Sequence, residues 1–536
     1  MYRSIHMVAM LLFSIALIAS AARKTQQAVR IDSGMVSGRI DFHGVSSYLG
    51  IPFAAPPVGN LRWRPPQPVA AWKGVRAADH FGASCMQDEM GVRLPWSRGF
   101  MTQGPISEDC LYLNVWTASP DSSKQMPVMV WIYGGGYSEG SSEVAVYNGA
   151  NLARNGVVVV TFNYRVGPLG FLAYPALTEE SRHHSSGNYG LLDQIAALNW
   201  VHQNIAAFGG DSSNVTIFGQ SAGAGSVGIL MASSLAKGLF EHAITESGLG
   251  LFRGLDSRKR LADAEQQGAK YAERLGAHSL AQLRALPAAD FAKPIPGMPR
   301  GLTGFSPNLD NWVVTDDIPA HEVPLINGMV ANDIGIADFG DGRSRAPVTI
   351  EMYTAQIKNI CGNQAGVCLK LYPAKNEKEA AAALAAVRRD RARASIYVWA
   401  TDQIKRGPVY TYYFDRAEPW PQYPLFGAFH TSEVPYVFQT IRVLHRAWQP
   451  EDFKISGEMS PYWTNFAKRG NPNGPTLPHW PEFTAGSKTT MELGSRMGPM
   501  PLAEPARLKF FLEYLGADRK KESSHLLEDN PHAHSL

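Results

Sequence analysis

Val215-Thr216-Ile217-Phe218-Gly219-Gln220-Ser221-Ala222-Gly223 joins a short apolar run to a serine set between two glycines. The run from Val215 to Phe218 fits a strand buried on both faces, and it leads straight into Gly219. The Ala- and Gly-rich sequence beyond Ser221 is able to start a helix. A serine in such a strand–turn–helix passage needs small neighbours, because the turn is tight and the serine backbone strained. The pattern G-x-S-x-G meets that need and presents Oγ above the sheet edge. Ser221 is therefore a candidate nucleophile, a structural turn serine being the plain alternative. Upstream, Val128 to Tyr133 and Val157 to Phe162 are further near-continuous apolar runs. Leu191 to Ala207 carries Leu, Ile, Ala and Trp at helical spacing. Later strands are expected at Pro324 to Gly328 and Val409 to Phe414. Helices are expected in part of Ser257 to Pro319 and over Glu379 to Ala400. Met35 to Leu49 alternates like antiparallel strands around a turn at Phe42-His43-Gly44. Strands alternating with helices predict an α/β architecture with a large, mostly parallel central sheet flanked by helices.

A serine hydroxyl is a poor nucleophile at neutral pH and needs a base to take its proton. It also needs donors for the oxyanion of a tetrahedral intermediate. Tyr133-Gly134-Gly135-Gly136-Tyr137 follows an apolar strand, and consecutive glycines let backbone N–H groups face a substrate without side-chain obstruction. Gly135, Gly136 and the N–H of Ala222 would together form a three-donor hole; a plain tight turn is the competing account of the glycines.

Of the 536 residues, 45% are apolar and 18% charged, the latter below the roughly 25% usual for soluble domains. The net charge of +3 leaves no basic excess of the kind nucleic-acid or membrane-surface binders carry. At the N-terminus, Arg3 and His6 precede an apolar run from Met7 to Ala19, then Ala19-Ser20-Ala21. That order predicts a signal peptide over 1–21, cleaved after Ala21, and a secreted or periplasmic protein. An uncleaved anchor is the alternative, although the run is too short to span a bilayer. Export permits disulfides. The four cysteines allow three pairings, of which the sequence-local Cys85–Cys110 and Cys361–Cys368 are the simplest. No His/Cys cluster suggests a metal site, and no cofactor is implied. One domain is expected over 22–516, with a polar, frayed or disordered tail over 517–536.

Several further stretches occur in a telling order: Gly50-Ile51-Pro52, Arg62-Trp63, Glu108-Asp109-Cys110-Leu111-Tyr112-Leu113-Asn114-Val115, Asn163-Tyr164-Arg165, Gly187-Asn188-Tyr189-Gly190, and Phe208-Gly209-Gly210-Asp211 through Gly223. From about Val29 to Leu515 the chain resembles the type-B carboxylesterase family, whose relatives include the cholinesterases and the inactive neuroligins. The resemblance implies the α/β-hydrolase fold, with helical and loop insertions around an active-site gorge, and hydrolysis of small-molecule carboxylic esters through Ser221. It also implies the base. His430, in Gly427-Ala428-Phe429-His430-Thr431-Ser432-Glu433-Val434-Pro435-Tyr436-Val437-Phe438, matches the family's catalytic histidine segment. The acid falls in Gly328-Met329-Val330-Ala331-Asn332-Asp333-Ile334-Gly335. Counting from Gly328 selects Asp333, where the family usually has Glu; counting back from Gly335 selects Ile334, which cannot serve. Asp338 is the reserve. Because Asp is one methylene shorter than Glu, the backbone should approach His430 more closely. The chain order Ser221, Asp333, His430 suits this fold. Gln220 stands where cholinesterases carry Glu, which removes one negative charge. Trp96, Phe100, Trp420 and Phe426 are candidates for an apolar pocket, although aromatics more often serve packing. A catalytically dead binding module, or an acyl transferase or amidase using the same acyl-enzyme, would be built on the same scaffold.

Overall fold

The computed structural model describes residues 28–88, 92–248, 259–293, 304–315, 321–333 and 347–528. The proposed signal peptide, the reserve acid Asp338 and the last eight residues, 529–536, lie outside them.

An eleven-stranded sheet forms the centre. Its strands in chain order are β1 (Arg39–Ile40), β2 (Ser46–Pro52), β3 (Tyr112–Thr117), β4 (Met126–Ile132), β5 (Val158–Phe162), β6 (Gly210–Gln220), β7 (His242–Glu246), β8 (Leu325–Val330), β9 (Val409–Phe414), β10 (Thr489–Leu493) and β11 (Gly498–Pro501). Across the sheet they run β11-β10-β9-β8-β7-β6-β4-β5-β3-β2-β1. Everything from β5 to β10 pairs in parallel, and the outer pairs at both edges are antiparallel. The apolar runs explain the parallel part. Every residue of β5, β8 and β9 is buried, so each strand has both faces covered.

Helices supply that cover: α1 (Tyr189–Asn204), α2 (Ala222–Ala232), α3 (Glu377–Gln403), α4 (Pro450–Arg469) and α5 (Pro505–Glu528). α1 buries twelve residues from nearly all round its axis, as a helix wedged into a core must. α4 starts on a capping box, in which the Gln449 side chain and Asp452 satisfy each other's backbone N–H groups, with Pro450 in the first turn. It ends on Gly470 at φ 69°. Between these ends Trp463 is carried, fully buried, against the sheet. A second apolar cluster joins α3, α5 and the segment closed by the Cys361–Cys368 disulfide. The other disulfide, Cys85–Cys110, ties the segment before the cavity described below to the start of β3.

Two elements differ from expectation. β6 begins at Gly210 rather than Val215, reaching β4 through a register shift between those residues. α5 runs on to Glu528, into the stretch read as frayed or disordered; Ala, Lys, Glu and Leu there are good helix formers even without an apolar stripe. Among the described residues no helix is long and apolar enough to cross a membrane.

Strand order fixes where a ligand belongs. The chain passes from β4 outward to β5 and then back across β4 to β6. In open α/β sheets the crevice at such a reversal, outside the carboxyl ends of the strands, is the binding place. Gly219 pairs with Ile132 there, so Ser221 and Gly134 emerge side by side.

Candidate active site

Ser221 sits between β6 and α2 at φ 57° and ψ −123°, a conformation that L residues rarely adopt. Its N–H donates to the Glu246 carbonyl (2.9 Å), and its own carbonyl accepts from Gly225 (2.9 Å). The flanking glycines are required by close packing. A Cβ on Gly223 would stand 2.0 Å from the Ile132 carbonyl oxygen, and one on Gly219 would stand 2.6 Å from it. The pattern thus lets the strained turn lie directly against the end of β4.

From that end comes the glycine turn. Gly135 has φ +105°, and a Cβ on it would fall 2.2 Å from the Glu139 carbonyl; Gly136, at φ +61°, opens into free space. Gly135 also accepts at its carbonyl from Ser138 (3.0 Å) and Glu139 (3.2 Å). The N–H of Ala222 lies in the first turn of α2 and has no intrahelical acceptor.

His430 and Asp333 reach the same place from further along the sheet. Asp333 follows β8 and is buried; its Oδ2 accepts from the Val330 N–H (3.1 Å), and its Oδ1 makes a short hydrogen bond with His430 Nδ1. Asn332 brings the two segments together. Its N–H donates to the Ala428 carbonyl (2.9 Å), and its Nδ2 donates to the Phe426 carbonyl (2.9 Å). A Cβ on Gly427 would lie 2.6 Å from that Nδ2, so glycine admits the contact. On the far side, the Trp96 indole donates to the His430 carbonyl and to Thr431 Oγ1, each at 3.2 Å.

With Nδ1–H directed at the Asp333 carboxylate, His430 Nε2 carries a lone pair. Its partner among the described residues is the Gln220 carboxamide, whose Nε2 lies 3.1 Å away. Desolvation of the ring pushes its pKa down, but the Asp333 charge, the Asp333 hydrogen bond and the Glu433 charge outweigh this and leave it raised. The side chain keeps 12% exposure, enough to open on the cavity. That cavity, of about 530 Å³, is walled by Ser221, His430, Gln220 and the Gly134–Gly136 turn on one side. Trp96, Phe100, Met101 and Val144 form its apolar part, and Arg93, ion-paired with Glu139, its charged part.

A family model described as the carboxylesterase family matches residues 25–510. The chain belongs to the carboxylesterase family. Fumonisin B1 esterase of Sphingopyxis macrogoltabida is 38% identical to it over 498 residues, covering 86% of this chain and 87% of that one. Para-nitrobenzyl esterase of Bacillus subtilis (strain 168) is 34% identical, covering 88% and 96%. A solved PNB esterase structure aligns with a TM-score of 0.75 at 31% identity, over 91% of this chain and 99% of that one. The fold is accordingly the α/β-hydrolase fold, and the protein is a carboxylic ester hydrolase.

In this carboxylesterase Ser221, His430, Gly135 and Gly136 meet at one cavity, with Asp333 behind the histidine. Of the four aromatics expected around it, Trp96 and Phe100 line the cavity. Trp420 instead lies under the Arg446 guanidinium, 3.4 Å from the ring centroid, and Phe426 packs on Phe429. Sequence reasoning gave no role to Asn332, nor to Glu246 and Glu433, two fully buried carboxyls behind the site. Glu246 accepts from Trp463 Nε1 (2.7 Å), and Glu433 from Ser247 Oγ (3.2 Å). Burial pushes the Glu246 carboxyl up to about 8, and burial with the charges of Glu246 and Asp333 holds Glu433 well above the carboxylate range.

Proposed function

We propose that this carboxylesterase hydrolyses its esters through an acyl-enzyme on Ser221. The observation that carries the reading is the strained serine opening on the same cavity as a histidine whose Nδ1 is held by a buried carboxylate. His430 takes the proton from Oγ as Ser221 attacks the ester carbonyl, and Asp333 orients the ring and stabilises the imidazolium. The N–H groups of Gly135, Gly136 and Ala222 receive the oxyanion. His430 then protonates the departing alcohol, and water repeats the route in reverse to release the acid. No step calls for a metal or cofactor.

The relatives' names specify different esters, fumonisin B1 and para-nitrobenzyl among them. The cavity walls therefore have to indicate substrate class, and the Trp96–Phe100 side suits an ester with an apolar acyl or alcohol part. Two disulfides support action after export, in a secreted or periplasmic setting, with the chain cleaved after Ala21. N-terminal sequencing of protein recovered from the periplasm or medium tests that cleavage.

The deciding experiment is hydrolysis of short p-nitrophenyl esters beside Ser221→Ala, Asp333→Asn and His430→Ala. All three should lose turnover by about 10³-fold or more. Retained activity in Asp333→Asn alone would move the acid elsewhere.

A further inference from the structure

Gln220 touches the one atom of His430 on which proton transfer turns. It is buried, with 2% exposure, and is fixed at the end of β6, where it pairs in register with Glu246 of β7. Its carboxamide nitrogen lies 3.1 Å from Nε2, the atom that the mechanism requires to accept the Ser221 proton. A carboxamide carries a donor at one corner and an acceptor at the other, and half a turn exchanges them. Gly134 packs closely on Gln220, since a Cβ there would stand 2.7 Å from the Gln220 carbonyl oxygen and 3.0 Å from its Oε1, while Gln220 also borders the cavity.

We infer that Gln220 is a positioning residue for His430, donating to Nε2 of the neutral ring in the free enzyme and turning its carbonyl oxygen onto Nε2–H once the imidazolium forms. This rests on the reading of Ser221 and His430 above. The carboxamide first gives up the single Nε2 lone pair to the Ser221 hydroxyl; as the Oγ–acyl bond forms, the hydroxyl proton passes to Nε2, and Gln220 Oε1 accepts a hydrogen bond from it. When the ester C–O bond breaks, the same proton leaves on the alcohol and the carboxamide turns back. The donor state keeps the ring in its Nδ1–H tautomer; the acceptor state stabilises the cation without adding charge.

The absence of charge matters because the Asp333 carboxylate already raises the ring's proton affinity from Nδ1, while burial favours the protonated form of the other nearby carboxyls, Glu433 and Glu246. Asp333 approaches from the turn after β8, Glu433 lies three residues on in its own loop, and Glu246 lies behind at the end of β7. Tyr412 of β9 and Tyr147 flank those carboxyls, and the Arg93–Glu139 pair lines the same cavity as the ring. A further carboxylate directly on Nε2 would hold the proton there and withdraw the base at neutral pH. An amide offers the same acceptor without that penalty.

The test is the pH profile of p-nitrophenyl acetate hydrolysis for Gln220→Glu and Gln220→Met, each checked for folding by its melt, with Ser221→Ala alongside. Gln220→Glu should move the acid limb of kcat/KM up by about one pH unit, with the alkaline plateau retained. Gln220→Met keeps the length but loses both polar corners, and should lower kcat about tenfold with KM within about twofold. Simple packing would not move the acid limb. If one variant fails to fold, the other decides: a raised acid limb in Gln220→Glu, or a tenfold lower kcat in Gln220→Met, supports the inference. An unmoved acid limb in Gln220→Glu, or unchanged kcat in Gln220→Met, overturns it as well. If Ser221→Ala kept its turnover, the acyl-enzyme reading would fall and take this inference with it. An inactive Ser221→Ala beside an unmoved Gln220→Glu profile sinks the inference alone.

Discussion

Protonation of two buried side chains governs two different properties of the enzyme. His430 must be neutral to accept a proton, and its pKa is raised from the ordinary 6.5 because Asp333 and Glu433 outweigh desolvation. Activity should therefore be lost as the pH falls through a value above 6.5, not at or below it. A kcat/KM profile whose acid limb lies at or below 6.5 would contradict this account of the ring's surroundings. Glu246 governs stability instead. Its pKa is about 8 when folded, against 4.5 ordinarily, so between these values the folded chain holds a proton that the unfolded chain has released. Stability from this group is full below about pH 4.5 and declines as the pH rises towards 8. Glu246→Gln, which keeps an acceptor for Trp463, removes that decline. Its advantage in thermal unfolding should grow from pH 5 to pH 8.5 by an amount on the order of a few kcal/mol. A gap between variant and wild type that stays constant over that range would rule it out. Ser221 is legible in the sequence because its environment is local: strand, glycines and helix adjoin it. Glu246, Asn332 and the bond from Trp96 to His430 are not, since each depends on a partner far along the chain. Trp96 bonds His430, 334 residues away, and Trp463, which holds Glu246, is 217 residues away from it.

At the scale of elements, the approach of two strand ends sets the chemistry. The last pair of β6 with β4, Gly219 with Ile132, lets the serine turn and the glycine turn share one corner of the cavity. This corner has no spare volume: the Ile132 and Tyr133 carbonyl oxygens stand 2.0 and 2.8 Å from where a Gly223 Cβ would be. Because both are backbone atoms on a central strand, neither can swing aside as a flexible side chain could. Gly223→Ala should therefore push α2 off β4, costing about 3 kcal/mol or more as overpacking of a rigid site and carrying the Ala222 N–H out of position. Differential scanning calorimetry and kcat should fall together. A variant with wild-type melting and turnover would mean that the elbow is looser than its geometry implies. The buried strands were readable as apolar runs, and their predicted cores coincide with β4, β5 and β9. The start of β6 was not, because Gly210-Asp211-Ser212-Ser213 has the composition of a loop and becomes strand only through pairing with β4. His430 likewise sits in a stretch with no periodicity, and only its resemblance to a known motif singled it out.

Across the whole molecule, the site is assembled from segments more than two hundred residues apart, so its precision depends on how the outer loops are tethered to the sheet. Cys85–Cys110 is one such tether. It fastens the segment that supplies Gln87 and Asp88 to the cavity onto the start of β3, and Gln87 in turn holds Gly140 by bonds to its N–H (2.8 Å) and carbonyl (2.9 Å). The bond closes a loop with a sequence separation of 25, and chain entropy puts its contribution at about 3 kcal/mol. Cys361–Cys368 closes only 7 residues and lies in the second apolar cluster, away from the cavity walls. The two bonds should therefore respond differently when removed. Cys85→Ser with Cys110→Ser should lower both thermal stability and kcat/KM, because Gln87 would no longer brace the turn that follows Gly136. Cys361→Ser with Cys368→Ser should cost less stability and leave kcat/KM within about twofold of wild type, since no residue of its loop reaches the substrate space. Melting curves and p-nitrophenyl ester kinetics on the two double variants separate these effects. Equal losses of activity in both would mean that the second cluster is mechanically coupled to the site.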